Sequence, residues 1–319
     1  MAGCTHPESR AEPLFPSVDY VTGETFEVRR CGACGLALTW PPPPPDALGR
    51  YYPPAYYGAP GRRRFLGPIE VAQDLLYGWR ARRVERLAGG RPGRVLDVGC
   101  GRGHLLEAFR RRGWSVEGTE LSESSARQPR EAFGLQVHVG PLQSIALPGG
   151  AFDAVTMWHV LEHVPDPAPL LAEIRRLLRP GGVFMVGVPN FGSPEAKATR
   201  GGWFHLDVPR HLVHFTPETL RALLAEAGLA EVATSWFAPE FDAFSFVQSA
   251  ENRLGLRMNL LYDLLRQRAA RLGGAGAGVL ASAAALLLAV PLGLAALLVP
   301  TLASLAGSGS SLTIYARRP

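Results

Sequence analysis

Arg94-Val-Leu-Asp-Val-Gly-Cys-Gly-Arg-Gly-His-Leu-Leu106 is the stretch whose reading decides the fold. An apolar, strand-like segment halts at Asp97. It then passes through three glycines at alternate positions, Gly99, Gly101 and Gly103, and opens a helix with Leu105, Leu106 and Phe109 on its inner face. Glycine lets backbone approach a ligand closely, and a helix start offers unpaired N–H groups to an anionic group. The pattern predicts a strand, a ligand-holding turn and a helix, the opening unit of an α/β domain that takes a small-molecule cofactor.

A glycine-rich turn alone is weak, because nicotinamide enzymes use one too and also place an acid about twenty residues on. Glu120, which follows the strand-like run Trp114–Thr119, suits a ribose diol in either family. Asp97, placed just before the first glycine, discriminates together with two further motifs. These are Phe152-Asp-Ala-Val-Thr-Met-Trp-His-Val-Leu-Glu-His-Val164 and Leu178-Arg-Pro-Gly-Gly-Val-Phe-Met-Val186. In that order and spacing the motifs resemble the class I S-adenosylmethionine-dependent methyltransferases, over residues 69–255 plus the C-terminal strand.

The resemblance implies an α/β, Rossmann-like sheet of seven strands, the last running antiparallel beside the fifth. It implies that Gly99, Gly101 and Gly103 surround the amino-acid tail of S-adenosyl-L-methionine and that Asp97 orients the loop or meets the ammonium. Glu120 would accept both ribose hydroxyls, and Leu121 and Leu142 would sandwich the adenine. The chain departs from the family at Gly140-Pro141-Leu142, which lacks the acid that often accepts from the adenine amino group. Backbone carbonyls near Leu142 or the side chain of Gln143 must substitute.

His159 and His163 flank Glu162 after the fourth strand, where side chains reach the cofactor methyl and the acceptor. We assign His159 to the cofactor side, and Glu162, His163 and His211 to catalysis, since a hydroxyl acceptor needs a base within hydrogen-bond reach. His211 belongs to the run Asp207–Thr216, which adds His205 and His214 as lesser candidates. A network that only shapes the pocket, or a metal held by these histidines, is the alternative reading.

At 319 residues the chain has room for one α/β domain and attachments. The formal charge of +5 would suit nucleic acid, but all 33 basic residues except Lys197 are arginine. So lopsided a ratio fits coding bias as well as a partner, and we expect solvated clusters at Arg62–Arg64 and Arg110–Arg112. The N-terminus lacks the apolar core of a signal peptide, so a cytoplasmic start is expected.

Cys31-Gly-Ala-Cys-Gly35 is a knuckle of the kind zinc ribbons use. The family often carries such a ribbon with a second Cys-x-x-Cys pair upstream. Here only Cys4 and His6 stand at that place, so the expected metal set is Cys4, His6, Cys31 and Cys34, with a metal-free ribbon or a redox pair as alternatives. Pro41–Pro45 makes a stiff spacer, and Tyr51–Tyr57 resembles the family's tyrosine-rich linker. The expected division is a ribbon-like segment at 1–40, a linker at 41–68, the methyltransferase domain at 69–250, a helical insertion at 251–307 and the final strand at 308–319.

About seventy residues separate the expected sixth strand, Glu231–Phe237, from the seventh, Ser310–Arg318, and an insertion that long is functional more often than not. Its first part, Glu251–Leu272, mixes leucines and arginines as an amphipathic helix does. Its second, Val279–Leu305, carries no charged residue. Both flanking strands belong to one sheet, so the chain must return to the side it left. With Pro291 and Gly293 as breaks, each half is about 18 Å of helix against a hydrocarbon core of about 30 Å. The expectation is a re-entrant or interfacial hairpin on the cytoplasmic face, rather than a covering pair in a soluble protein or a true span.

Together these readings predict methyl transfer to a hydroxyl, less readily a carbon, of a glycan, lipid-linked or isoprenoid-like small-molecule acceptor at the membrane surface. The alternatives are an RNA methyltransferase, favoured by zinc and basicity and opposed by the uncharged insertion, and a cofactor-binding scaffold without catalysis.

Overall fold

The computed structural model describes residues 4, 10–52, 67–265 and 275–319. Its larger sheet has seven strands: β4 (Arg94–Val98), β5 (Ser115–Glu120), β6 (Val137–Val139), β7 (Phe152–Trp158), β8 (Leu178–Pro189), β10 (Ala230–Ser235) and β11 (Ser311–Arg317). Their spatial order is β10-β11-β8-β7-β4-β5-β6. β4 to β8 pair in parallel, while β11 runs antiparallel between β8 and β10, the seventh-strand placement the sequence predicts.

Helices cover both faces, which is why the strands read as continuous apolar runs. Along β4 the side chains alternate, Val95 joining one core and Leu96 the other. On Val95's side lie α1 (Gly67–Leu87), α2 (His104–Arg110) and α3 (Glu123–Phe133); on Leu96's side lies α4 (Pro167–Leu177). The order reverses at β4, with β5 and β6 to one side and β7 and β8 to the other. That reversal opens a crevice at the carboxyl ends of the strands, where ligands of open α/β sheets bind.

The first three strands, β1 (Ala11–Val18), β2 (Thr25–Cys31) and β3 (Ala37–Trp40), form an antiparallel sheet. Its fourth strand, β9 (Val213–His214), comes from the long connection after β8, with Ala37 opposite His214. Leu36 of the β2–β3 turn packs in the main core beside Leu212 and Val213. The N-terminal segment is thus bonded into the larger body, which the expected ribbon and spacer did not anticipate.

After β8 come α5 (Pro194–Thr199) and α6 (Pro217–Glu226). Thr216 caps α6 with a reciprocal bond to Thr219, and Pro217 holds the first turn. The predicted amphipathic helix over Glu251–Leu272 does not form as one piece. α7 (Pro239–Arg253) ends before Gly255, which holds a φ of +89°, and α8 (Leu260–Leu265) starts after Asn259; residues 266–272 lie outside the described residues.

The predicted hairpin is likewise corrected, because α9 (Ala275–Leu305) is one helix of 31 residues with Pro291 and Pro300 inside it. A proline removes one hydrogen bond and costs about 3 kcal/mol. The surrounding Ala and Leu are strong helix formers, and a stripe containing Ala289, Leu292 and Ala296 docks on Phe244 and Val247 of α7.

Candidate functional site

The turn after β4 has the backbone its glycines foretell. Gly99, Gly101 and Gly103 stand at φ +70°, +54° and +80°, a region that side chains other than glycine rarely adopt. A Cβ on Gly99 would lie 2.6 Å from the Val160 side chain, and one on Gly103 would lie 2.6 Å from Leu135, so both are packed from below. A Cβ on Gly101 would meet nothing within 4 Å, which marks the open side of the loop. Cys100 is buried, and a Cβ on Gly118 would lie 2.7 Å from its sulfur; the bare β5 backbone makes room for the thiol under the turn.

Asp97 is buried at the end of β4 and accepts from the Thr156 hydroxyl at 2.6 Å. Burial pushes its carboxyl up to about 7, with the Thr156 bond pulling the other way. Glu120, at the end of β5, accepts from the Gly101 N–H at 2.5 Å, so the acid and the open glycine face each other across the turn. Burial raises the Glu120 carboxyl too, opposed by the Gly101 and Leu121 N–H groups. Leu121 is 78% exposed, whereas Leu142 is 4% exposed and packs in the core with Leu147. Its short helical turn, Leu142–Ser144, points the side chain inward, so Leu142 offers an adenine almost no surface, contrary to the sequence expectation.

Beyond β7 the predicted catalytic residues converge. His159 sits at φ +53°, its Nδ1 is 3.2 Å from Glu162 Oε1, and its ring packs 4.6 Å from that of Phe241 on α7. His163 and His211 lie edge to face with centroids 4.7 Å apart. One ligand atom from each of Glu162, His163 and His211 can be chosen so that all three lie within 4.8 Å of one another.

Carbonyl partners fix the tautomers. His211 Nδ1 donates to the His205 carbonyl at 2.8 Å and His163 Nδ1 to the Arg210 carbonyl at 2.9 Å. In the neutral rings both Nε2 atoms therefore carry lone pairs. Burial, then His163, lowers His211 to about 4, so it is neutral at physiological pH. Burial opposes ionisation of Glu162, but its hydrogen bond to His159 and the neighbouring imidazoles hold it down at about 2. His211 Nε2 stands 3.9 Å from Glu162 Oε1, and Glu162 Oε2 is buried with no bonded partner. The imidazole Nε2 lone pairs are the atoms able to take a proton, with the ionised Glu162 carboxylate beside them to stabilise the imidazolium that forms, and the donor set equally suits a divalent cation.

His205 and His214 are buried and lowered to about 3, chiefly by burial. His214 Nε2 lies 3.0 Å from the Thr39 hydroxyl, inside the small sheet.

Several neighbours of the site escaped the sequence reading. Arg80 of α1 is buried with its guanidinium 3.9 Å from the Trp158 ring centroid, and it is paired with Glu240. Tyr52, placed by the sequence in the tyrosine-rich linker, has its hydroxyl 3.1 Å from His163 Nδ1. Arg210, fully buried, is ion-paired to Asp19 at 2.9 Å and to Asp207 at 2.7 Å. No local pattern announces a partner more than a hundred residues away. At the other cluster, the sulfurs of Cys4, Cys31 and Cys34 lie within 4.8 Å of one another, and burial with the adjoining thiols pushes Cys34 up to about 12. His6, the fourth expected ligand, lies outside the described residues.

The profile of a family described as methyltransferase domain matches residues 72–234, about half of the chain. An uncharacterized 37.1 kDa protein of transposon TN4556 from Streptomyces fradiae is 31% identical over 182 residues, 53% of this chain and 52% of that protein. The chain thus spans about half the length of that relative. The ubiquinone biosynthesis O-methyltransferase of Pseudomonas aeruginosa is 35% identical over 175 residues, 51% of this chain and 73% of that protein. Among solved structures, a SAM-dependent methyltransferase from Archaeoglobus fulgidus aligns with a TM-score of 0.46 at 20% identity, covering 76% of this chain and 94% of that one. With a glycine turn open at Gly101, an acid across from it and a seven-stranded sheet closed by an antiparallel β11, the chain belongs to the methyltransferase domain family, the class I S-adenosylmethionine-dependent methyltransferases.

Proposed function

We propose that the protein transfers the methyl group of S-adenosylmethionine to a hydroxyl of a small, apolar, lipid-borne acceptor at a membrane face. The cofactor is itself the activated methyl donor, so the protein's task is to hold a nucleophile in line and take its proton. Glu120 and the Gly99–Gly103 turn hold the cofactor, and His163 or His211 receives the proton beside the Glu162 carboxylate, which stabilises the imidazolium. Similarity to an O-methyltransferase of ubiquinone biosynthesis supports an oxygen acceptor. The zinc reading rests on the cluster of Cys4, Cys31 and Cys34, with His6 as the proposed fourth ligand.

The observation that carries the membrane reading is the orientation of α9. Within it, Gly278–Leu305 is long and apolar enough to cross a bilayer. Its docked stripe includes small residues, Ala285, Ala289 and Ala296, whereas Leu280, Leu287, Leu294 and Leu298 face outward, Leu280 at 76% exposure. A soluble helix puts its large apolar residues inward; this one offers them to the surroundings. Spanning would draw α7, with its Glu240, Asp242 and Glu251, into hydrocarbon, so we place α9 in the interface of one leaflet, on the cytoplasmic side.

Substituting Leu280, Leu287, Leu294 and Leu298 with Gln tests this while sparing the docked stripe. Each side chain moved from water to lipid is worth about 1.5–3 kcal/mol, so the variant should stay in the supernatant when the native protein sediments with vesicles. Equal sedimentation of both would refute membrane attachment. An RNA acceptor is the second reading, favoured by the net charge of +5; it requires RNA affinity that falls steeply with salt.

A further inference from the structure

The N-terminal sheet touches the histidine cluster at three separate points. From the turn after β1, Asp19 Oδ1 holds the Arg210 guanidinium at 2.9 Å, and Asp19 is itself pinned by the Thr22 N–H and hydroxyl, each at 2.8 Å. From β3, the Thr39 hydroxyl donates to the His211 carbonyl at 2.6 Å. At the end of the helical turn Pro45–Tyr51, the Tyr51 carbonyl accepts from Arg210 at 3.0 Å, and the hydroxyl of the next residue, Tyr52, lies 3.1 Å from His163 Nδ1.

The contacts of Asp19, Tyr51 and Thr39 fall on two consecutive residues of one loop, Arg210 and His211, and that of Tyr52 falls on His163 beside them. The Arg210 side chain is enclosed by Asp19, Asp207 and the Tyr20 ring, whose centroid lies 4.7 Å from the guanidinium carbon. The Arg210 carbonyl accepts from His163 Nδ1. An amide carbonyl can only accept, so Nδ1 carries the hydrogen and shares it with the phenolic oxygen of Tyr52. That leaves Nε2 as the lone-pair atom. One residue on, His211 has its backbone carbonyl held by Thr39 and its Nδ1 by the His205 carbonyl. An imidazole with one nitrogen pinned to a carbonyl has both its rotamer and its basic atom set.

We propose that residues 10–52 are a working part of the catalytic centre, with Asp19, Thr39 and Tyr52 as positioning residues that set the tautomer and orientation of His163 and His211. The proposal rests on the assignment of these histidines to the reacting centre, yet its spectroscopic test does not require the acceptor. It also accounts for the sheet's construction: β9 carries His214 and supplies the strand that ties β3 to the loop bearing Arg210 and His211.

The full chain contains eight histidines, few enough for ring-nitrogen NMR on protein labelled with 15N-histidine in lipid nanodiscs. The native protein should show His163 and His211 each as one fixed tautomer, with two well-separated ring-nitrogen signals. In Tyr52→Phe, which keeps the ring and removes the hydroxyl, the His163 Nδ1 signal should shift as its N–H loses one of two acceptors and its hold on the tautomer weakens. In Asp19→Asn, which keeps the shape and loosens Arg210, the pairs of both His163 and His211 should move. His138, held by Glu117 on the far edge of the sheet, should stay in place, and affinity for S-adenosylhomocysteine should stay within twofold. Unchanged His163 and His211 signals in both variants would overturn the proposal, and so would shifts spread equally over all eight histidines, which report general loosening. Set tautomers in a protein whose His163→Ala and His211→Ala variants keep full turnover would instead overturn the catalytic reading and leave the positioning intact.

Discussion

Replacing Glu120 separates the cofactor site from the fold. Its carboxylate faces Gly101 N–H across the open side of the glycine turn, where the proposed cofactor's ribose diol would offer two hydroxyl donors. Hydrogen bonds to a charged acceptor are worth about 1.5–3 kcal/mol, and each ~1.4 kcal/mol is tenfold in affinity. Glu120→Ala should therefore weaken binding of S-adenosylhomocysteine roughly ten- to hundredfold by calorimetry. Glu120→Gln keeps one accepting oxygen and should lose about half that free energy. The fold should not suffer. Burial raises this carboxyl in the native state, so what it contributes to stability is present below the ordinary carboxylate pKa and is lost as pH rises through the raised value. At pH 7.5 the Gln variant should melt at the native temperature or slightly above it. Unchanged affinity in both variants would remove Glu120, and the turn it faces, from the cofactor site.

Asp242, buried and pushed up to about 8 mainly by desolvation, loses its contribution to stability as pH rises through that value. The melting temperature of Asp242→Asn should gain on the native protein between pH 6 and pH 9, and a constant difference across that range contradicts the buried-acid reading. His163→Ala and His211→Ala should each lower turnover at least tenfold while cofactor affinity holds; if neither costs more than a few-fold, the acceptor is already an anion or the base lies elsewhere. Elemental analysis should find near one equivalent of zinc in the native chain and none in the Cys31→Ser, Cys34→Ser double variant, and full metal in that variant excludes the site.

The glycine turn and the acid facing it were legible because their signals are local. Alternate glycines with positive φ, an acid closing the next strand, and apolar runs buried on two faces are all consequences of nearby backbone geometry. The Thr216–Pro217 start of α6 was readable for the same reason. What escaped was non-local or competitive. Tyr52 meets His163 across 111 residues and Thr39 meets His211 across 172, separations that no spacing rule reaches. The break expected at Pro291 failed because a single lost hydrogen bond competes with a long run of strong helix formers and with docking on α7. Leu142 was placed by family position, yet the turn at 142–144 sends it into the core.

The central claim is methyl transfer to a lipid-borne hydroxyl. Incubating the protein and its four-leucine α9 variant with methyl-labelled S-adenosylmethionine and a cell extract, then partitioning the products, tests it most directly. The account predicts label in the solvent-extractable lipid fraction, stable to mild alkali as a methyl ether is, dependent on Glu120 and reduced in the α9 variant. Label recovered in RNA, or in water-soluble products equally with both proteins, would contradict it.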